Sequence, residues 1–181
     1  MINKKGNMLV VDLEATCWRG HPPVGMFNEI IEIGIAIVDL ETKEVTAKDS
    51  ILIKPTYSTV SPFCTELTTL TQEILEENGV TLEEAVDILI NQYKSNKIVW
   101  GSWGNYDRNQ FKKDCERKRV KYPFSDNHFN LKPLFSFKYG KTKDFGVSSA
   151  LEYLNMPFDG TQHRGVDDAV NIAKIVKEIF K

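Results

Sequence analysis

The sequence has little of what holds small secreted or membrane proteins together. Its cysteines, Cys17, Cys64 and Cys115, are odd in number, far apart and without a CxxC pair. Neither a disulfide framework nor a thiolate zinc site is expected, and three reduced thiols fit a reducing, cytoplasmic setting. No apolar run approaches the ~20 residues needed to cross a bilayer. The opening MINKKGNMLVVDLEAT reaches only a short apolar run before its first acid, which argues against a secretory leader. Charge of one sign is missing too, because 23 basic and 25 acidic residues leave a net charge of −2. A protein that coats nucleic acid non-specifically needs a basic footprint for counterion release, and this chain lacks one. Repeats, low-complexity tracts and linkers are absent from the 181 residues. A single domain spanning residues 1–181, with one sizeable core, is expected.

What is present is organised by apolar periodicity. Residues 8–13 form an apolar run ending in acids, and residues 29–40 (EIIEIGIAIVDL) are rich in Ile and Val. Both read as buried strands. A tight ETKE turn joins the second to a third strand over 45–54, closed by Pro55. Helices are predicted over 71–77 and 81–94, the second opened by a capping box of Thr81 and Glu84. A fourth strand over 98–101 leads to a helix over 105–119, and 128–131 reads as a short fifth strand. Helices over 147–154 and 166–180 complete the chain. This order predicts an α/β fold with a central mixed five-stranded sheet, an antiparallel meander followed by parallel crossovers, flanked by helices. One segment escapes the pattern. The loop 16–28 (TCWRGHPPVGMFN) is long, aromatic and proline-rich, and it follows directly on the first strand, as functional loops often do.

Three short blocks carry the chemistry. Side chains alternate along a strand, so Asp12 and Glu14 share one face while Leu13 takes the other. Two carboxylates about 7 Å apart on one face are poorly placed unless cations neutralise them. Oxygen ligands of this kind suit Mg²⁺ or Mn²⁺. In the last helix Ala169, Ile172, Ala173, Val176 and Phe180 form an apolar stripe. Asp168 lies at the edge of that stripe and points inward, which is costly for a carboxylate that meets no cation. Asp167 lines up with Asn171, Lys174 and Glu178 on the wet side, where it is expected to serve only the helix dipole. His163, five residues before Asp168 on the entering loop, is a natural general base because its ordinary pKa is near neutral. Asp107, in the first turn of the helix after the fourth strand, shares a face with Phe111 and Cys115 and points toward the sheet. His21 and His128 have no acidic company. The basic run of Lys112, Lys113, Arg117, Lys118, Arg119 and Lys121 reads either as a solvated helix face and exit loop or as a flank touching a nucleic-acid backbone.

Together the blocks resemble the DEDDh family of 3′–5′ exonucleases. DLEATCW, SPFCTELTTLTQ and GTQHRGVDDAVNIAKIV are similar to the branch that holds KapD-type bacterial proteins and the histone-mRNA 3′-exonuclease, and the likeness runs from Met8 to Phe180. The resemblance implies a ribonuclease H-like fold and hydrolysis that releases nucleoside 5′-monophosphates from a 3′ end. It implies Asp12, Glu14, Asp107 and Asp168 as ligands of two Mg²⁺ ions, for which Mn²⁺ would substitute, and His163 as the base. Single-stranded or 3′-overhanging RNA is the implied partner, with DNA the second candidate and no membrane involved. Thr16, just after D-L-E-A, is implied as a contact to the terminal sugar. Met26 and Phe27 in the long loop, and Trp103 beside the second block, are candidates for stacking on the terminal base, since every base presents a π-face. The sequence departs from the family at Thr69, where L-T-G-I-T has glycine, and in the spacing before Asp107. No appended RNA-binding module is expected, which leaves specificity to this domain or a partner. Two other readings stay open: a DNA proofreading or repair exonuclease using the same acids, and a non-catalytic nucleic-acid-binding domain on the same fold. The intact acidic set counts against the last.

Overall fold

The computed structural model describes residues 6–181. Strand β1 (Asn7–Ala15) pairs antiparallel with β2 (Ile30–Asp39), and both are buried along almost their whole length. Burial on two faces explains why their sequences read as continuous apolar runs rather than alternating ones. β3 (Glu44–Leu52) pairs antiparallel with β2 at the sheet edge, and its outward residues are exposed. On the other side of β1 lies β4 (Val99–Ser102), parallel to it, followed by β5 (His128–Asn130), parallel to β4. The order β3-β2-β1-β4-β5 is the expected meander with parallel crossovers, and β1 is its centre.

Helices α1 (Pro62–Thr68), α2 (Gln72–Asn78) and α3 (Leu82–Asn91) connect β3 to β4, and α4 (Tyr106–Lys118) connects β4 to β5. α5 (Leu131–Lys138), α6 (Val147–Tyr153) and α7 (Gly165–Ile179) follow β5. The predicted capping box of Thr81 and Glu84 opens α3. Apolar periodicity predicts neither α1 nor α5. Both rest on their caps instead. Ser61 accepts the Cys64 N–H ahead of Pro62 at the first position of α1, and Asn130 accepts the Lys132 N–H at the start of α5. α1 ends at Thr69 with φ +65°, a left-handed conformation in which a β-branched residue is strained and glycine is at ease.

β1 divides the core. Leu9, Val11 and Leu13 pack with Ile33, Ile35 and Ile37, with the apolar face of α3 and with Phe111 of α4. Met8 and Val10 pack with Ala36, Val38 and the Ala169, Ile172, Ala173 and Val176 stripe of α7. The period of two therefore carries Asp12 and Glu14 onto the α7 side, one and two steps beyond Val10.

α7 reaches the sheet at a pair of glycines. Gly34 of β2 stands opposite Asp12 in the strand register. A Cβ on Gly34 would overlap the Gly165 carbonyl, and one on Gly165 would sit 2.9 Å from the Gly34 nitrogen and 3.1 Å from the Asp12 carbonyl oxygen. Glu32, fully buried, fastens the same junction. It accepts hydrogen bonds from the Gly165 N–H (3.0 Å), the Arg164 Nε (3.1 Å) and the Ser50 hydroxyl (2.6 Å). Gly34→Ala should cost about 1–3 kcal/mol by overpacking this contact. Urea unfolding would show it as a lower midpoint with the same slope, and an unchanged midpoint would mean that the junction has slack.

Candidate metal and nucleic-acid site

Three elements, β1, α4 and α7, converge where α7 meets β1. Asp12 and Glu14 come from β1 and Asp168 from the first turn of α7. Each offers a carboxylate oxygen, and the three oxygens lie within 4.8 Å of one another, the cation-sized carboxylate cluster found among the described residues. Asp107 arrives from the start of α4. It is buried, and its Oδ1 accepts the Leu13 N–H at 3.0 Å, so the backbone between Asp12 and Glu14 holds it in place. Asp107 lines the same cleft but stands outside the three-carboxylate group.

His163 is exposed on the turn before α7, with φ +61°. Histidine tolerates the left-handed region better than most residues. The turn is fixed by its own N–H, which donates to Asp168 Oδ2 at 2.7 Å. Asp168 thus faces Asp12 and Glu14 and also caps the turn that presents the histidine. All five residues line one cleft of about 370 Å³, together with Trp103, Tyr106 and Gln162 and the opening of α6.

The remaining expected contacts separate. Trp103 lines the cleft, its ring held by a hydrogen bond from Nε1 to the Phe145 carbonyl (2.8 Å). Thr16 is fully buried, and among the described residues it is not part of the cleft lining. Its hydroxyl donates to the Phe27 carbonyl (3.1 Å) and accepts the Glu29 N–H (2.9 Å), so both of its functions close the base of the long loop rather than meet a sugar. Met26 and Phe27 also lie outside the lining. The Phe27 ring packs against Tyr57 (5.6 Å between centroids) and lies under the Arg117 guanidinium (3.9 Å).

Three features escaped the sequence reading. Tyr106, one residue before Asp107, is 53% exposed in the cleft wall, and its position beside a candidate ligand was the available signal. Glu32 was visible as an acid inside an apolar strand, which calls for a buried partner. Asp167 is not simply on a wet face. It accepts the Thr161 N–H (2.8 Å), while Asn171, fully buried, donates to the carbonyls of Asp159 and Asp167 (2.8 Å each). The side of α7 that periodicity assigns to solvent is covered by the loop leading to His163, and helix phase cannot report a covering loop.

Burial, reinforced by the crowding of carboxylates, decides the electrostatics. Burial, then the charges of Asp107, Asp168 and Glu14, push the Asp12 carboxyl well above its usual range. Burial and the neighbouring Asp168 and Glu32 raise Glu14 to about 8. Asp168 rises to about 6, chiefly by burial and against the stabilising His163 N–H. Asp107 also rises to about 6, burial outweighing the hydrogen bond from Leu13. A hard divalent cation among these oxygens would restore the ionised forms, and the all-oxygen donor set fits Mg²⁺ or Mn²⁺.

Comparison with known proteins gives the same picture. The model of the family described as Exonuclease (RNase_T) matches residues 9–176. A human 3′-5′ exoribonuclease 1 is 32% identical over 187 residues, covering 95% of this chain and 52% of the relative. This chain therefore spans about half the length of that protein. The probable 3′-5′ exonuclease KapD of Bacillus subtilis is 26% identical, with 94% of this chain and 83% of KapD covered. The crystal structure of the nuclease domain of 3′hExo, a DEDDh family member bound to rAMP, superposes with a TM-score of 0.85 at 28% identity, covering 96% of this chain and 91% of that one. The sheet and its flanking helices are thus the ribonuclease H-like fold of these exonucleases.

The raised carboxyls give a pH dependence of definite sign. Their folded-state pKa values lie above those of the unfolded chain, near 4. Their contribution to stability is therefore fully present below about pH 4 and is lost as pH rises through 6 to 8. Mg²⁺ competes with protons for the same oxygens, so it should raise Tm more at pH 8 than at pH 5. Thermal melts with and without Mg²⁺ at both pH values test this, and equal shifts would contradict it.

Proposed function

The chain belongs to the exonuclease family whose model covers residues 9–176, and from that membership we propose that it is a metal-dependent 3′–5′ exonuclease acting on RNA. The observation that carries the reading is the approach of Asp12, Glu14 and Asp168 to within 4.8 Å beside an exposed histidine in one cleft. Relatives described as 3′-5′ exoribonucleases support RNA as the substrate. The family is divalent-metal dependent, and Mg²⁺, with Mn²⁺ as a substitute, is the ion assigned here.

In this reading Asp12, Glu14 and Asp168 hold one ion, and Asp12 with Asp107 supports a second. Held there, two such ions would supply an acidified, oriented water and positive charge beside the leaving 3′ oxygen. The protein supplies the rest. A ring nitrogen of His163 takes the proton of the water, and the Asp168 carboxylate that caps its turn fixes where that nitrogen stands. Glu32 and the paired glycines hold Asp168 against β1. Trp103 and Tyr106 wall the cleft with aromatic surface for the terminal nucleotide, which tolerates any base because stacking reads only the π-face. Nucleoside 5′-monophosphates leave one at a time, from single-stranded or 3′-overhanging RNA.

A time course on 5′-labelled RNA and DNA with single-stranded, blunt and overhanging 3′ ends tests this reading. RNA with a free 3′ strand should shorten stepwise in Mg²⁺ and not in EDTA. Asp12→Asn should abolish the activity. His163→Ala should lose about 10²–10⁴-fold in kcat, partly relieved at high pH where hydroxide replaces the base. Cleavage by Asp12→Asn at the wild-type rate would sink the metal assignment.

A further inference from the structure

α4 runs out of the cleft with a broad exposed side, on which Asn109, Lys112 and Glu116 flank a line of three side chains interrupted by buried Gln110. The line starts at Tyr106 in the cleft wall and continues through Lys113 to Arg117, all three exposed. At 3.6 residues per turn, positions 113 and 117 fall within about 20° of the line through position 106. Arg117 lies about 15 Å along the axis from Asp107. Its guanidinium sits 3.9 Å from the centroid of Phe27, which packs in turn on Tyr57, itself 51% exposed. The Arg117 side chain is 39% exposed, so Phe27 backs one side of the cation and the rest meets solvent.

This stack is not needed to fasten the long loop to α4. That junction is already made by Gln110 Nε2 donating to the Asn28 carbonyl (2.8 Å) and by the Ile30 N–H donating to Asp114 Oδ2 (2.8 Å). The ion pair of Lys118 with fully buried Glu29 (2.9 Å) completes it. Asp114 also touches Arg117 Nη1 at 3.5 Å, which steadies the guanidinium and offsets part of its charge. In a chain of net charge −2, an aligned lysine and arginine leading out of a carboxylate-lined cleft are a local exception.

We propose that this line is a track for single-stranded RNA upstream of the 3′ end. Lys113 meets a backbone phosphate, and a base stacks on the outer face of the Arg117 guanidinium, with Phe27 behind it and Tyr57 at its edge. Guanidinium planes stack on bases as aromatic rings do, and a basic groove that follows the backbone is the usual companion of such a platform. The assignment rests on the exonuclease reading above, because the cleft fixes where the 3′ end lies. Charge complementarity and continuity with that cleft favour a polyanionic strand over a protein partner. The stacked base lies a few nucleotides from the reacting phosphate, so a dinucleotide cannot reach it.

Substrate length separates this role from loop fastening. kcat/KM is measured for a dinucleotide and an octanucleotide of the same 3′ sequence. In the wild type the octanucleotide should be preferred, and Arg117→Ala should cut that preference by about tenfold. Lys113→Ala, at an exposed position, should reduce it a few-fold and lower the salt slope of octanucleotide binding by about 1. Arg117→Lys should keep the salt slope and still lose most of the preference, since the plane is gone and the charge remains. An octanucleotide-to-dinucleotide ratio unchanged in Arg117→Ala and Lys113→Ala would overturn the track, including the case where both substrates suffer equally. If the wild type hydrolyses neither length, the exonuclease reading fails instead, and the two failures stay distinct.

Discussion

The close approach of the first turn of α7 to β2 is the constraint on which the rest of the site depends. Two glycines facing each other, Gly34 and Gly165, let the backbones come within van der Waals contact of Asp12. Glu32 then locks the helix start by accepting from the Gly165 N–H and the Arg164 side chain. Without that contact Asp168 could not stand within a cation's reach of Asp12 and Glu14. The His163 turn hangs from Asp168 by one hydrogen bond, so the histidine's position follows from the same junction.

The junction carries an electrostatic cost that the fold does not relieve by itself. Burial raises the pKa values of Asp12, Glu14, Asp107 and Asp168; the charges of Asp107 and Asp168 raise Asp12 and Glu14 further, and Glu32 adds to the effect on Asp12, Glu14 and Asp168. Arg164 opposes it at Glu14 but pairs directly with Glu32, and His163 opposes it at Asp168, which leaves the three converging carboxylates only partly compensated. Clustered ionisable groups in a cleft, all displaced by burial and three of them also by like charge, mark a site shaped for a bound charge rather than for stability. In the proposed function a divalent cation would supply that charge, and this would link the packing of two glycines to a reaction at phosphorus.

Much of this could be read from the residues. The alternation of β1 put Asp12 and Glu14 on one face, and the structure adds that this is the face α7 covers. The stripe of α7 distinguished Asp168 from Asp167. The antiparallel meander and the parallel crossovers followed from strand runs and their connections, and the structure adds the order β3-β2-β1-β4-β5. The limits have physical causes. α1 and α5 are held by caps and first-turn prolines, which leave no periodic trace. Asp167 and Asn171 lie on a helix face covered by a loop, whereas periodicity separates only core from not-core. Thr16 is placed near the terminal sugar by the family resemblance, and Met26 and Phe27 are candidates for stacking because they offer large side chains in the long loop. Yet the hydroxyl of Thr16 closes the loop on itself, and Phe27 pairs with Tyr57 and Arg117, partners distant in sequence. Thr69 occupies a left-handed helix end, a conformation that suits glycine, and Arg164 Nη1 donates to its hydroxyl at 3.5 Å.

The central claim is that Asp12, Glu14 and Asp168 form a cation site. Anomalous diffraction from crystals of the protein soaked in Mn²⁺ tests it most directly. A manganese peak bounded by oxygens of those three residues is the predicted result. Manganese found only elsewhere on the surface, with this cluster empty at saturating ion, would contradict the account.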